Sequence, residues 1–370
     1  MKKYSVQLLL LFSICFAIIA MVTNSKKKIQ TIKLNEYLLK YELIKQHGGW
    51  HYINSTRILK IGMRFPEIKQ IKKRLLATGE LGGLIENVTD SFDIKLENAV
   101  MVFQKNHTLN PTGIIDKNTL RQLNVDIDYR IHQIKINIER WKNLSSDLED
   151  YYILVNLPAG KLELIKNDTA IMQMKVIIGR FYRKTPVLET SITTIDLNPN
   201  WVIPPGIFKK DFLPKLKSNP NYLQEKDMYV TKNNKVIYHE IHWEKIDPLN
   251  NPYTITQRPG PKNPLGVIKF IFPNKHFVYM HDTPDKYLFE KDKFTFSSGC
   301  IRLSKAIELG EYILQKDQNW TRNKLDSIIS LNNRFTIKLV NPLKIYLCYF
   351  TAWVNEEGVL QFAEDIYKRD

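Results

Sequence analysis

Cysteine is scarce in this chain: three residues among 370, one of them (Cys15) inside an apolar N-terminal run. With two thiols left for the folded part, a disulfide-stapled scaffold is excluded. A bridge between Cys300 and Cys348 would suit an oxidising compartment, yet a spacing of 48 positions is an unspecific signal. Acidic residues are also in deficit, 38 Asp and Glu against 54 Lys and Arg, for a net charge of +16. The basic residues are spread along the chain rather than massed on one helix, and no nucleic-acid motif accompanies them, so no nucleic-acid partner is expected. Metal-ligand patterns are equally thin. In His239-Glu240-Ile241-His242 the histidines stand three apart, whereas a zinc-binding helix face needs them four apart, and no third ligand is evident nearby. Neither a metal nor a cofactor is expected.

What remains is an ordinary globular composition, 44% hydrophobic and 25% charged, long enough for two domains with separate cores. One apolar run stands out, Val6 to Val22, preceded by Lys2-Lys3 and followed by Lys26-Lys27-Lys28. A basic start before an apolar stretch directs export. Its length falls between a signal-peptide core and the roughly 20 residues of a spanning helix. No small-x-small cleavage site follows it, so residues 1–25 read as an uncleaved anchor helix, with secretion after cleavage as the alternative.

Beyond the anchor, residues 26–56 read as a Lys-rich helical stalk or packing arm that ends at Gly48-Gly49. Residues 57–125 form a small all-α module of three helices. Ile68, Ile71 and Leu75 recur at helical spacing, then Leu96, Val100 and Phe103, and Asp116 is placed to cap a short third helix. Residues 126–150 hold a connecting helix whose Ile131, Ile134, Ile138 and Trp141 share a face. From Tyr151 the grain changes to short β-rich runs separated by Pro, Gly and Asn, which indicates a sheet-based domain over 151–345. Phe335 to Val340 and Lys344 to Val354 read as its closing strands, and residues 346–370 as a C-terminal strand and tail. The chain as a whole is α+β.

The chemistry concentrates between Tyr279 and Leu303. Nineteen positions separate His281, at a predicted strand end, from Cys300 in Ser297-Ser298-Gly299-Cys300-Ile301-Arg302. Gly299 lets the backbone turn sharply before the thiol, and Arg302 supplies a permanent charge that favours thiolate. The apolar spacing of Leu303, Ile307, Leu309, Ile313 and Leu314 predicts a helix directly after the thiol, whose dipole would also favour the anion. A nucleophilic Cys, a His base and backbone N–H donors are the parts of acyl transfer through a thioester. Tyr279 shares a strand face with His281 and is placed to line the same pocket.

These residues resemble the YkuD-type L,D-transpeptidases, whose signature is a His followed by a Ser-x-Gly-Cys-x-Arg segment. The similarity continues through Arg258 to Gly266 and Phe272-Pro273-Asn274, and into the tail from Thr351 to Tyr367. It is strongest to the long branch of that family, which implies a mainly β, sandwich-like catalytic domain with an inserted capping subdomain, here residues 207–257. Ser298 stands where many relatives carry His, and Asp282 where many carry Gly. Ala99-Val100-Met101-Val102-Phe103-Gln104, with Leu109, Gly113, Thr119-Leu120 and Leu123-Asn124, resembles a peptidoglycan-binding domain.

The resemblance implies Cys300 as nucleophile and His281 as general base and acid. Ser298, Gly299 and Arg302 would form or support the oxyanion loop, and Tyr279, Trp201 and Ser297 would line the substrate site. It implies a donor tetrapeptide stem and an acceptor stem of peptidoglycan as substrates, cross-linked between third-position diamino acids. Sensitivity to carbapenem-type inhibitors and a periplasmic location on the inner membrane would follow. The rival readings are an L,D-carboxypeptidase or cysteine amidase of the wall, and a non-catalytic wall-binding scaffold.

Overall fold

The computed structural model describes residues 26–83, 88–144, 148–219, 221–238 and 241–370. The expected anchor at residues 6–22 lies outside them. Among the described residues no helix is long and apolar enough to cross a membrane. Two compact units emerge: one ends at Asp150 and takes in the C-terminal Tyr349–Asp370, and the other is Tyr151–Cys348.

The first unit holds α1 (Lys26–Gln46), α2 (Pro66–Thr78), α3 (Ile94–Asn106), α4 (Lys117–Leu123) and α5 (Ile127–Lys142). Helices α2 to α4 pack around Ile68, Ile71, Leu75, Leu96, Val100 and Phe103, none more than 1% exposed. Those are the residues whose 3.6-residue spacing marks the module, because a helix this short holds together only by burying one face. Asp116 caps α4 through the Thr119 N–H at 2.8 Å. Asp116→Ala removes that acceptor and should cost about 1 kcal/mol, read as a lower melting temperature of the far-UV signal.

Helix α1 is no free stalk. It lies along α5, with Glu42 2.9 Å from Lys135 and Lys45 bonded to Asp128. The tail also departs from expectation. Its strands Ala352–Val354 and Leu360–Phe362 pair with each other instead of extending the catalytic sheet. They are held by contacts remote in sequence: the Thr351 N–H donates to Asn137 Oδ1 at 3.0 Å, and Phe350 stacks on Trp141 at 4.1 Å. The α5 stripe read as a strut between domains therefore serves as the core of its own unit.

The second unit is built on β1 (Tyr151–Asn156), β2 (Lys161–Lys166), β3 (Thr169–Gly179) and β4 (Leu188–Leu197). A smaller sheet follows with β5 (Trp201–Val202), β6 (Met228–Lys232), β7 (Lys235–Val236) and β8 (Thr254–Gln257). The main sheet resumes with β9 (Ile268–Ile271), β10 (Met280–His281), β11 (Thr295–Ser297), β12 (Ile301–Leu303) and β13 (Phe335–Cys348). The main sheet runs β11-β3-β12-β10-β9-β4-β13-β1-β2 and then closes on itself, because β3 pairs with β2 along its first part and with β12 along its second. Closure leaves few unpaired edges.

The runs read as Phe335 to Val340 and Lys344 onward are one strand, interrupted by a register shift between Lys338 and Leu343. Helix Ala306–Gln318 covers part of the sheet with Leu309, Ile313 and Leu314. The small sheet carries its own core of Phe208, Phe212, Leu213, Met228, Val230, Trp243 and Ile255. It occupies the span expected for a capping subdomain and takes in β5 just upstream.

Candidate active site

Strand β10 lies between β9 and β12, and its parallel pairing with β12 sets Met280 opposite Ile301 and His281 opposite Arg302. Ile301 N–H donates to the Tyr279 carbonyl at 3.0 Å, so Cys300 leads into β12 beside Tyr279. Side chains two apart on a strand share a face. Tyr279 and His281 therefore face the same side as Cys300 and Arg302. All four open onto one cleft of about 410 Å³, which Trp201, Ser297 and Ser298 also line. That volume suits a small-molecule or peptide ligand. The expected site residues are thus brought together, Gly299 being buried in the loop behind them.

The thiol does not sit at a helix N-terminus. Ile301 and Leu303 are buried with Arg302 partly exposed between them, a two-residue alternation that makes β12, and the helix begins only at Ala306. The apolar spacing after Leu303 was compatible with a helix starting earlier; pairing with β3 and β10 decided for strand. The helix dipole consequently offers this sulfur nothing. Both Cys300 and Cys348 are free thiols.

The turn before the thiol is built from its own side chains. Ser297 Oγ donates to the Cys300 carbonyl at 2.5 Å and accepts the Gly299 N–H at 3.1 Å. Gly299 has φ +122°, a conformation that residues with a Cβ rarely adopt. Ser297 lines the cleft, but its hydroxyl is already engaged within the loop. Trp201 is a wall of the cleft with its ring edge-on to Phe212 at 5.7 Å.

Electrostatics run against the expectation of a ready-made thiolate. Burial pushes the Cys300 thiol up, and this outweighs the opposing pull of the Tyr279 N–H and hydroxyl and of the Lys269 and Arg302 charges. His281 is pushed down to about 3, by burial first and then by Arg302 and Lys269, against the hydrogen bond to Asp282. At neutral pH the pair is thiol and neutral imidazole. His281 Nδ1 lies 2.5 Å from the Asp282 carbonyl, which assigns the proton to Nδ1 and leaves Nε2 as the acceptor. Alkylation of Cys300 by iodoacetamide should therefore keep accelerating beyond pH 9 instead of levelling off near neutrality, as followed by mass spectrometry of the Cys300 peptide.

Two contributors escaped sequence reasoning. Asp282 orients the His281 ring through its backbone carbonyl, which no side-chain motif could announce. Its carboxylate accepts the Val267 N–H at 3.1 Å and pairs with Lys286, fixing that backbone. Lys269 lies over the Tyr279 ring at 3.9 Å and is opposite His281 in the β9–β10 register. Its signal was available: Ile268 and Phe270 are buried, so the residue between them must face the other side. His239 and Glu240 lie outside the described residues, and His242 is exposed with Nδ1 3.4 Å from Glu244.

Fold and site together define a β-rich domain that presents a thiol and a neutral imidazole to a capped, cation-lined cleft. Residues 150–321 match the model of the L,D-transpeptidase catalytic domain, YkuD, and residues 65–123 match the "Putative peptidoglycan binding domain". The chain therefore carries a YkuD-type L,D-transpeptidase domain behind an N-terminal peptidoglycan-binding domain. A curated relative from Haemophilus influenzae, described as "Putative L,D-transpeptidase", is 34% identical over 220 residues, covering 59% of this chain and 44% of the relative. The chain thus spans less than half the length of that relative. Solved structures similar to it include the L,D-transpeptidase (residues 123–326) of Xylanimonas cellulosilytica, at 11% identity and TM-score 0.26, covering 80% of this chain and 98% of that one. Another is an L,D-transpeptidase of Stackebrandtia nassauensis, at 11% identity and TM-score 0.29, covering 78% and 94%. The assignment rests on the sequence matches.

Proposed function

We propose that this protein is a peptidoglycan L,D-transpeptidase that works through a Cys300 thioester. The observation that carries the reading is the pairing of Cys300 with a neutral, oriented His281 on one cleft. His281 Nε2 takes the thiol proton as the sulfur attacks the carbonyl between the third-position diamino acid and the terminal D-Ala of a donor stem. The Gly299 N–H is committed to Ser297, so the oxyanion falls to the N–H groups of Ser298 and Cys300. His281 then protonates the departing D-Ala amine. The amine of a second stem attacks the thioester, gives its proton to His281, and the sulfur leaves and recovers it. The Lys269 and Arg302 charges stabilise the anionic states that a half-buried thiol otherwise resists.

Several features support a wall substrate. Arg180, Lys215, Lys226 and Lys262 line the cleft along with Arg302, suiting a peptide that carries several carboxylates. The peptidoglycan-binding domain would keep the enzyme on the wall. The basic-flanked apolar run of residues 6–22 fits export to the cell envelope and retention at the membrane. Carbapenem-type inhibitors would acylate the same sulfur.

The deciding experiment supplies the purified protein with a tetrapeptide-stem muropeptide and separates the products by mass. A cross-linked dimer with released D-Ala is expected. D-Ala without dimer would instead mean hydrolysis, and no reaction with wall binding retained would mean a scaffold.

A further inference from the structure

Segment 180–185, between β3 and β4, wraps the loop that carries the thiol. Arg180 N–H donates to the Ser297 carbonyl at 3.1 Å. Thr185 Oγ1 donates to the Gly299 carbonyl at 2.8 Å and accepts the Gly179 N–H at 2.9 Å. The turn is closed tightly: a Cβ on Gly179 would stand 2.0 Å from the Arg183 carbonyl oxygen. Arg183 completes the wrap, Nη1 donating to Ser298 Oγ at 2.7 Å. The same guanidinium makes a two-toothed ion pair with Asp211, at 2.6 and 3.0 Å. Asp211 belongs to the helical stretch Phe208–Phe212 of the small capping sheet's core. Each partner shifts the other as a real pair should: Arg183 holds the Asp211 carboxyl below its usual range, and Asp211 raises Arg183.

Arg183 therefore holds the cap through both Nη atoms and, through Nη1, the nucleophile loop as well. Asp211 and Ser298 line the cleft, while Arg183, with its side chain 18% exposed, stands behind them and is not among the lining residues. We infer that Arg183 is a positioning residue that makes the geometry of the Cys300 loop depend on the seating of the cap. This rests on Cys300 being the nucleophile. The reason is mechanical. Gly299, at φ +122°, is already pinned by Ser297 at its N–H and by Thr185 at its carbonyl, so a fixed partner on Ser298 completes the turn that sets where Cys300 points. Misplacement of a reacting group by about 1 Å costs on the order of 100-fold in rate. A planar guanidinium can hold a carboxylate and a hydroxyl at once, whereas an ammonium is a point charge without that fork.

The test uses the full chain, a tetrapeptide-stem muropeptide, and the variants Arg183→Lys, Asp211→Asn and the pair combined. Each single variant should lower kcat by about 10- to 100-fold with KM changed less than about threefold and the melting temperature nearly unmoved. The combined variant should be no worse than the poorer single one, since both break the same link. Alkylation of Cys300 by iodoacetamide, which needs no stem peptide, should change rate in all three. A raised KM at unchanged kcat would overturn the inference in favour of direct substrate binding, and additive losses would overturn it in favour of independent roles. A large fall in melting temperature would reduce Arg183 to a structural tie. Wild-type kcat in Arg183→Lys beside an inactive Cys300→Ala sinks this inference alone. An active Cys300→Ala sinks the reading beneath it.

Discussion

Cys300→Ala is expected to abolish both D-Ala release and dimer formation, lowering kcat/KM by at least about 1000-fold, with the melting temperature close to wild type. The thiol is partly exposed at the rim of the cleft, so its loss leaves little void in the core. Cys300→Ser should be nearly as inactive despite its matched volume. A hydroxyl ionises far less readily than a thiol and is the weaker nucleophile. Cys348 provides the opposite control. It is 3% exposed in β13, where its thiol is a small core hydrophobe. Cys348→Ala should leave turnover unchanged and cost about 1 kcal/mol of stability. Product masses from the tetrapeptide-stem assay, read beside thermal unfolding, separate the two cysteines. Full activity in Cys300→Ala would refute the thioester.

His281→Gln should reduce kcat by about 100- to 10,000-fold, the range for losing a general base. The pH dependence is the sharper signature. In the wild type the imidazole is neutral down to about 3, so the acid limb of kcat/KM should lie well below the ordinary histidine value of 6.5. In the variant that limb disappears, and the residual rate should climb with pH as thiolate forms unaided. Stability shifts in a determined direction too. The folded state resists protonating His281, while the unfolded chain takes up its proton near 6.5. The contribution of the neutral imidazole is complete above 6.5 and is lost as the pH falls towards 3. Denaturant midpoints at pH 7 and pH 4.5 should therefore differ less in His281→Gln than in the wild type. His107, pushed well below its ordinary value by burial in the other unit, carries the same sign and is common to both proteins.

Much of the architecture could be read from local pattern because burial is periodic. Ile68, Ile71 and Leu75 mark a helix for the same reason that Ile268 and Phe270 mark a strand: each set points one way only under its own repeat. Asp116 as a helix cap is equally local, since it bonds a group three residues on. The pattern failed where two periods fit. Leu303 and Ile307 satisfy a helix, and only the partners of β12 show that the thiol precedes a strand. It failed again for the tail. Phe350, Thr351 and Val354 are satisfied by Trp141, Asn137 and Gln30, more than 200 positions away.

The sequence alone singled out the atoms proposed to do the chemistry: the His281 and Cys300 pair, the glycine turn and the neighbouring Arg302 follow from residue type and spacing, and they carry the family resemblance. The tertiary structure decided their state. It buried the imidazole and half-buried the thiol so that the resting pair is neutral, turned the Asp282 carbonyl onto Nδ1, and brought Lys269 and Arg183 to the loop from other strands and turns. Ionisation and orientation depend on what surrounds a group in space, and those neighbours come from segments that no local repeat connects.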